Sequence, residues 1–123
     1  MTHILIVDDS LYQRLLIQKY LKARNHDVLL ATTGKEGLEI IASQKPDLVL
    51  LDLVMPEMSG LEMLQQLREQ GSEIPVIINT ADIQASTYEK CMDLGAVAIL
   101  NKPVDGNVLQ ETIDQALAPP QKE

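Results

Sequence analysis

Phenylalanine and tryptophan are absent from this chain, and three tyrosines (Tyr12, Tyr20, Tyr88) are its only aromatics. Stacking platforms for nucleobases or for a flavin ring are therefore scarce. Cysteine occurs once, at Cys91, so there is neither an internal disulfide nor a CxxC pair for zinc or redox chemistry. Basic charge is also short, with 10 Lys and Arg against 18 Asp and Glu and a net charge of -8. That balance argues against nucleic acid as a direct ligand, which needs a basic face, and suits a cation or a basic partner surface. No apolar run approaches the length of a membrane span. The start, Met1-Thr2-His3-Ile4, lacks the basic segment and long apolar stretch of a leader. The expected location is cytoplasmic, with no membrane partner.

What the chain does have is 123 residues, 46% hydrophobic and 23% charged, enough for one domain with a real core. It is organised around residues 46–60. Pro46 and Asp47 lead into Leu48-Val49-Leu50-Leu51, then Asp52, Leu53 and Val54, a run that suits a strand covered on both faces. One carboxylate, Asp52, interrupts the run before the breakers Pro56 and Gly60. A charge buried at mid-strand is costly, which places Asp52 where the strand ends and a loop opens. In an open parallel sheet that edge is where ligands bind.

Short apolar runs and helical spacings alternate along the rest of the chain. They predict strands over residues 4–7, 27–31, 47–52, 74–79 and 97–100, and helices over 11–24, 37–43, 61–70, 83–94 and 105–117. Ser10 or Asp9 is expected to cap the first helix, and Asn25-His26 and Gly95 to stop the first and fourth. Inward faces are assigned to Leu38, Ile41 and Ala42 in the second helix and to Leu61, Leu64 and Leu67 in the third. In the last helix they are Val108, Leu109, Ile113 and Leu117. Five such βα units imply right-handed crossovers and a parallel sheet. The expected architecture is α/β, a flavodoxin-like (βα)5 three-layer sandwich with strand order 2-1-3-4-5. Residues 1–118 form the domain and 119–123 a short tail.

Polar residues fall at the strand ends: Asp8 and Asp9 after the first, Asp52 after the third, Thr80 after the fourth and Lys102 after the fifth. The 2-1-3-4-5 order makes the first and third strands neighbours, gathering three carboxylates in one cleft beside a hydroxyl and an ammonium. Like charges roughly 5 Å apart repel by about 3 kcal/mol at an effective dielectric near 20. A proton, Lys102 or a hard dication must offset them. Oxygen-only ligands favour Mg2+, and a carboxylate beside Mg2+, a hydroxyl and a lysine can act as nucleophile toward a phosphoryl group. Each residue alone has a plainer reading: a helix cap, an ordinary strand-end threonine, a surface-turn lysine. Their joint occurrence at the strand ends is what points to chemistry.

These residues carry a resemblance over essentially the whole chain. Ile6-Val7-Asp8-Asp9-Ser10, Asp47 to Asp52 with Met55-Pro56-Glu57-Met58-Ser59-Gly60, Thr80-Ala81, and Leu94-Gly95-Ala96 through Lys102-Pro103 resemble the motifs of response-regulator receiver domains, the CheY-like family of two-component signalling. The resemblance implies that Asp52 accepts a phosphoryl group from the phosphohistidine of a sensor histidine kinase or phosphotransfer protein. It also implies that Asp9, Asp52 and the backbone carbonyl of Val54 ligate Mg2+, with Asp8 acting through water. Lys102 would pair with the acidic cluster and then with the phosphoryl group, and Thr80 would be the conformational switch. The Lys102-Pro103 bond is expected cis.

The chain departs from the family pattern at Ile99, where an aromatic switch residue is frequent, and at Val104, where Phe is common. Aliphatic repacking would then report the movement of Thr80. Val54 and Asp82 would flank the route of the water that hydrolyses the phosphoaspartate. With the chain ending after its fifth helix, output is expected through a downstream protein target or a homodimer, around the fourth helix, fifth strand and fifth helix. No separate enzyme activity is expected. An aspartyl phosphatase would carry a second acid where Val54 stands, and a flavin binder a Ser/Thr/Gly-rich loop after the first strand. The alternative reading is a receiver-like interaction module that works without phosphorylation.

Overall fold

The computed structural model describes residues 2–81 and 84–118. Five strands, β1 (His3–Val7), β2 (Asp27–Ala31), β3 (Leu48–Leu51), β4 (Val76–Thr80) and β5 (Ala98–Asn101), alternate with five helices. These are α1 (Leu11–Ala23), α2 (Gly34–Gln44), α3 (Gly60–Glu69), α4 (Ala85–Asp93) and α5 (Gly106–Leu117). The strands lie in the order β2-β1-β3-β4-β5, every pair parallel, as the sequence predicts.

β3 and β4 are buried along their whole length, so alternate side chains feed two separate cores. Leu5, Val7, Val49, Leu51, Val76 and Ile78 point to one face, where Met63, Leu64 and Leu67 of α3 and Cys91 of α4 meet them. Ile4, Ile6, Leu48, Leu50 and Ile77 point to the other, against Ile17 and Leu21 of α1 and Leu109 and Ile113 of α5. Full burial of each such side chain contributes about 1.5–3 kcal/mol. Helices this short are marginal in isolation, so their packing on the sheet holds them.

The differences from the sequence reading have local causes. Helix α2 begins at Gly34 rather than in the upper thirties, because Thr33 is an N-cap whose hydroxyl accepts from the Glu36 N–H. Ala42 is exposed, and Ile40 joins Leu38 and Ile41 on the core instead. Val108 is also exposed, while Thr112 is buried in its stead. Its hydroxyl bonds back to the Val108 carbonyl at 2.8 Å, so a polar residue fits the inner face of α5. β4 starts two residues late, at Val76, after Pro75, which has no N–H to give to a ladder. Ile83, the expected first residue of the fourth helix, lies outside the described residues.

Arg68 near the end of α3 donates to the carbonyls of Leu94 (2.6 Å), Ser72 (3.0 Å), Ile74 (3.0 Å) and Gly95 (3.2 Å). One guanidinium thereby satisfies carbonyls at the end of α4 and in the α3–β4 connection. Gln84 at the start of α4 makes no side-chain cap. Helix α4 is thus anchored by side-chain bonds at its carboxyl end, the end away from the strand termini that bear the polar residues.

Candidate functional site

The parallel register fixes where the polar residues meet. Val7 pairs with Leu51 in the β1–β3 ladder, so Asp8 and Asp52, one residue on, lie side by side at the carboxyl edge. Backbone bonds carry the ladder that far: Asp52 N–H donates to Val7 O at 3.0 Å and Asp8 N–H to Ala31 O at 3.1 Å. Both carboxylates share the face of Ile6 and Leu50. Asp8 and Asp52 are 2% and 6% exposed, whereas Asp9 is exposed. A carboxylate oxygen from each of Asp8, Asp9 and Asp52 falls within 4.8 Å of the others.

Lys102 supplies the countercharge. Its Nζ lies 2.7 Å from Asp8 Oδ2 and 3.2 Å from Asp52 Oδ2. The other Asp8 oxygen accepts from the Ser10 N–H at 2.9 Å, and Ser10 is the N-cap of α1. Helix α1 therefore starts where its N-terminal charge faces Asp8. The Lys102–Pro103 peptide is cis, as expected from the resemblance.

Burial raises the Asp52 pKa, and Asp8 beside it acts in the same direction. Lys102 and the Val54 N–H pull it back without cancelling the rise. For Lys102 burial works downward, but the hydrogen bond to Asp8 and the charges of Asp52 and Asp8 outweigh it, and the ammonium is held above its usual range. The folded state therefore binds the Asp52 proton more tightly than the unfolded chain does. Asp52 contributes stability below the ordinary carboxylate pKa, and that contribution is lost as pH rises through the elevated one. At neutral pH its ionised form costs stability. Asp52→Asn should raise the melting temperature of metal-free protein at neutral pH by several degrees, on the order of 1 kcal/mol, with the gain vanishing as pH falls below 4. Melting curves across that range read it directly.

Thr80 ends β4 fully buried, and its Oγ1 meets no hydrogen-bond partner among the described residues. A buried hydroxyl without a partner is uncommon and leaves Thr80 with a donor free for a group that enters the site. Ile99 is half-buried against the core that holds Ile78, and Val104 is buried against α1 and α5. Val54 stands 69% exposed on the loop after β3. Asp82 lies outside the described residues. The structure thus brings Asp8, Asp9, Asp52 and Lys102 together as expected, with Thr80 at the end of the adjacent strand β4.

Three residues were missed. Arg14 donates to the Asp8 carbonyl at 2.7 Å, which a charged residue on a helix does not advertise. Gln13 Oε1 and Asn79 Oδ1 are buried without a hydrogen-bond partner among the described residues. Asn79 had a sequence signal, since it follows Val76-Ile77-Ile78 in a strand that must be buried on both faces.

An acidic cluster and a lysine at the carboxyl edge of a 2-1-3-4-5 parallel sheet define a CheY-like receiver. The chain belongs to the response regulator receiver domain family, which matches residues 4–114. It is 39% identical over 120 residues to Protein PilH of Pseudomonas aeruginosa, covering 96% of this chain and 99% of that protein. It is 38% identical over 122 residues to the transcriptional regulatory protein ZraR of Escherichia coli K12, covering 96% of this chain but 28% of that one. The receiver domain protein (CheY-like) of Methanospirillum hungatei superimposes with a TM-score of 0.88 at 29% identity, covering 94% and 92% of the two chains. Among the described residues no helix is long and apolar enough to cross a membrane.

Proposed function

We propose that this receiver takes up a phosphoryl group on Asp52 from the phosphohistidine of a sensor histidine kinase or phosphotransfer protein. The observation that carries the reading is the Asp52 carboxylate, recessed beside Asp8 and gripped by Lys102, in a family whose members are response regulators. A carboxylate oxygen of Asp52 attacks phosphorus, and the P–N bond to the donor imidazole breaks with its electron pair returning to the ring. Lys102 loses its contact to the attacked carboxylate and turns its ammonium to a phosphoryl oxygen. The unpaired hydroxyl of Thr80 provides a second donor to the same group. Filling that hydroxyl's bond draws Thr80 toward the site and leaves space for Ile99 to repack, which couples the site to β5 and α4.

The donor set fits Mg2+: three carboxylates, no imidazole or thiolate, and a single lysine that leaves two negative charges for a dication to offset. Asp9, Asp52 and the Val54 carbonyl would hold the ion, with Asp8, already engaged by Lys102, acting through water. When bound, the ion offsets the charge of the carboxylates and of the incoming phosphoryl group. Asp9→Asn, at an exposed position, should weaken Mg2+ binding about tenfold with little change in melting temperature. Titration calorimetry alongside thermal melts tests both halves.

The receiver unit spans residues 1–118 and acts in the cytoplasm. Output passes to a downstream protein target, or to a second copy of the chain, through the face that carries Tyr88 and Met92 of α4, Val97 before β5 and Val108 of α5. All four are exposed and apolar. The reading is tested by the divalent-cation requirement of phosphoryl uptake from acetyl phosphate. Uptake at the same rate in chelator would contradict it.

A further inference from the structure

The register that aligns Asp8 with Asp52 continues across β4. Leu51 pairs with Ile78, so the residue level with Asp52 on the next strand is Asn79. It lies two residues beyond Ile77, whose side chain packs with those of Ile6 and Leu50, and is therefore on the same face as Asp8 and Asp52. Three polar side chains thus form one row over three adjacent strands. Asn79 is 3% exposed, and its Oδ1 is buried without a partner among the described residues.

Lys102 must cross the strand that carries this residue. It follows β5, where Leu100 pairs with Asn79, yet its ammonium reaches Asp52 beyond β3 and Asp8 beyond β1. In the order β1-β3-β4-β5, the lysine stem crosses the end of β4 to get there. An ammonium has three N–H donors, and the two carboxylates account for two of them. A third ammonium donor and a buried carboxamide oxygen without a partner among the described residues therefore lie at the same edge of the sheet. An apolar side chain at position 79 would continue the Val76-Ile77-Ile78 run, so the carboxamide is kept at a cost to stability. Such a cost is the mark of a functional position.

We propose that Asn79 is a positioning residue for Lys102: its carboxamide oxygen accepts from the ammonium as the lysine moves from the Asp52 carboxylate to the phosphoryl group. The role deepens the phosphoacceptor reading above and rests on it. The carboxamide holds the lysine head over β4 through the interval in which Asp52 has surrendered its charge, and so sets how fast the phosphoryl group is accepted.

The test compares wild type with Asn79→Leu, which keeps the shape and removes the acceptor, and Asn79→Thr, which suits a strand and restores an oxygen. Asn79→Leu is expected to melt higher than wild type while taking up phosphoryl groups from acetyl phosphate roughly fivefold more slowly at saturating Mg2+. Mg2+ affinity should be unchanged, and Asn79→Thr should recover most of the rate. A purely structural residue would not couple a gain in stability to a loss in rate. Wild-type uptake by Asn79→Leu would overturn the proposal. Failure of wild type itself to be labelled would instead sink the phosphoacceptor reading. The lysine contact is then judged from the Lys102 side-chain NMR signals in an Asp52→Asn background, where the carboxylate charge is gone as it is after transfer; Asn79→Leu is expected to shift them and Asn79→Thr to keep them. No shift in Asn79→Leu would overturn it.

Discussion

Lys102→Met should destabilise the metal-free protein at neutral pH by about 3 kcal/mol, the scale on which an unpaired buried charge is penalised. For a domain of this size that is a fall in melting temperature of roughly 10 °C. Among the described residues Lys102 is the one cation paired with the carboxylates of Asp8 and Asp52, both nearly inaccessible to water. Methionine keeps the apolar stem and removes the charge, so the loss reports electrostatics and little packing. Without Lys102 the Asp52 pKa, already raised by burial, climbs further. The deficit is then largest at neutral pH and shrinks on acidification as Asp52 takes up a proton. Adding Asp52→Asn to Lys102→Met should recover much of the stability, and the double-mutant cycle should show coupling well beyond additivity. A deficit that is independent of pH and unrelieved by Asp52→Asn would mean the lysine acts by packing alone.

Gly60→Ala should be comparably damaging for a geometric reason. A Cβ at this position would run into the Asp52 carbonyl oxygen and come within 2.8 Å of Leu53 Cα, both backbone atoms that cannot step aside. Gly60 N–H donates to Leu53 O at 2.9 Å, closing the loop of residues 53–59 against the end of β3. Helix α3 can then start only if the chain passes this close to Asp52. The expected cost is about 3 kcal/mol, the upper range for overpacking. A second consequence is displacement of the Asp52 carboxylate and slower phosphoryl uptake, even under conditions where the variant is folded. Thermal melts give the first effect, and uptake kinetics well below the melting temperature give the second. A variant with wild-type melting and uptake would show that the loop has more freedom than this contact allows.

Both variants bear on how much of the molecule could be read from its residues. The strand ends were legible, because a lone Asp at the end of Leu48-Val49-Leu50-Leu51 can be reconciled with burial only at an edge. Once the order 2-1-3-4-5 is accepted, Asp8 and Asp52 must be neighbours. That Lys102 pairs with the acidic cluster was implied by the family resemblance, and its two partners, Asp8 and Asp52, are given by the structure. Helix faces were legible less well. Spacing put Ala42 and Val108 inside, but the angle at which α2 and α5 meet the sheet is set by packing, which selects Ile40 and Thr112 instead. Arg68 was unreadable in principle. Its four carbonyl acceptors come from two connections that the sequence does not bring together. The Thr80 hydroxyl, without a partner among the described residues, was equally hidden, since only a buried environment turns a strand-end threonine into an unsatisfied donor.

The most direct test is intact-mass spectrometry after incubation with acetyl phosphate and Mg2+, on wild type and on Asp52→Asn. A single phosphoryl adduct that depends on Mg2+, appears on wild type and is missing from Asp52→Asn is the predicted result. An adduct retained by Asp52→Asn would place the acceptor elsewhere. No adduct on wild type, even with a phosphorylated kinase as donor, would contradict the account and leave a receiver that binds its partners without phosphorylation.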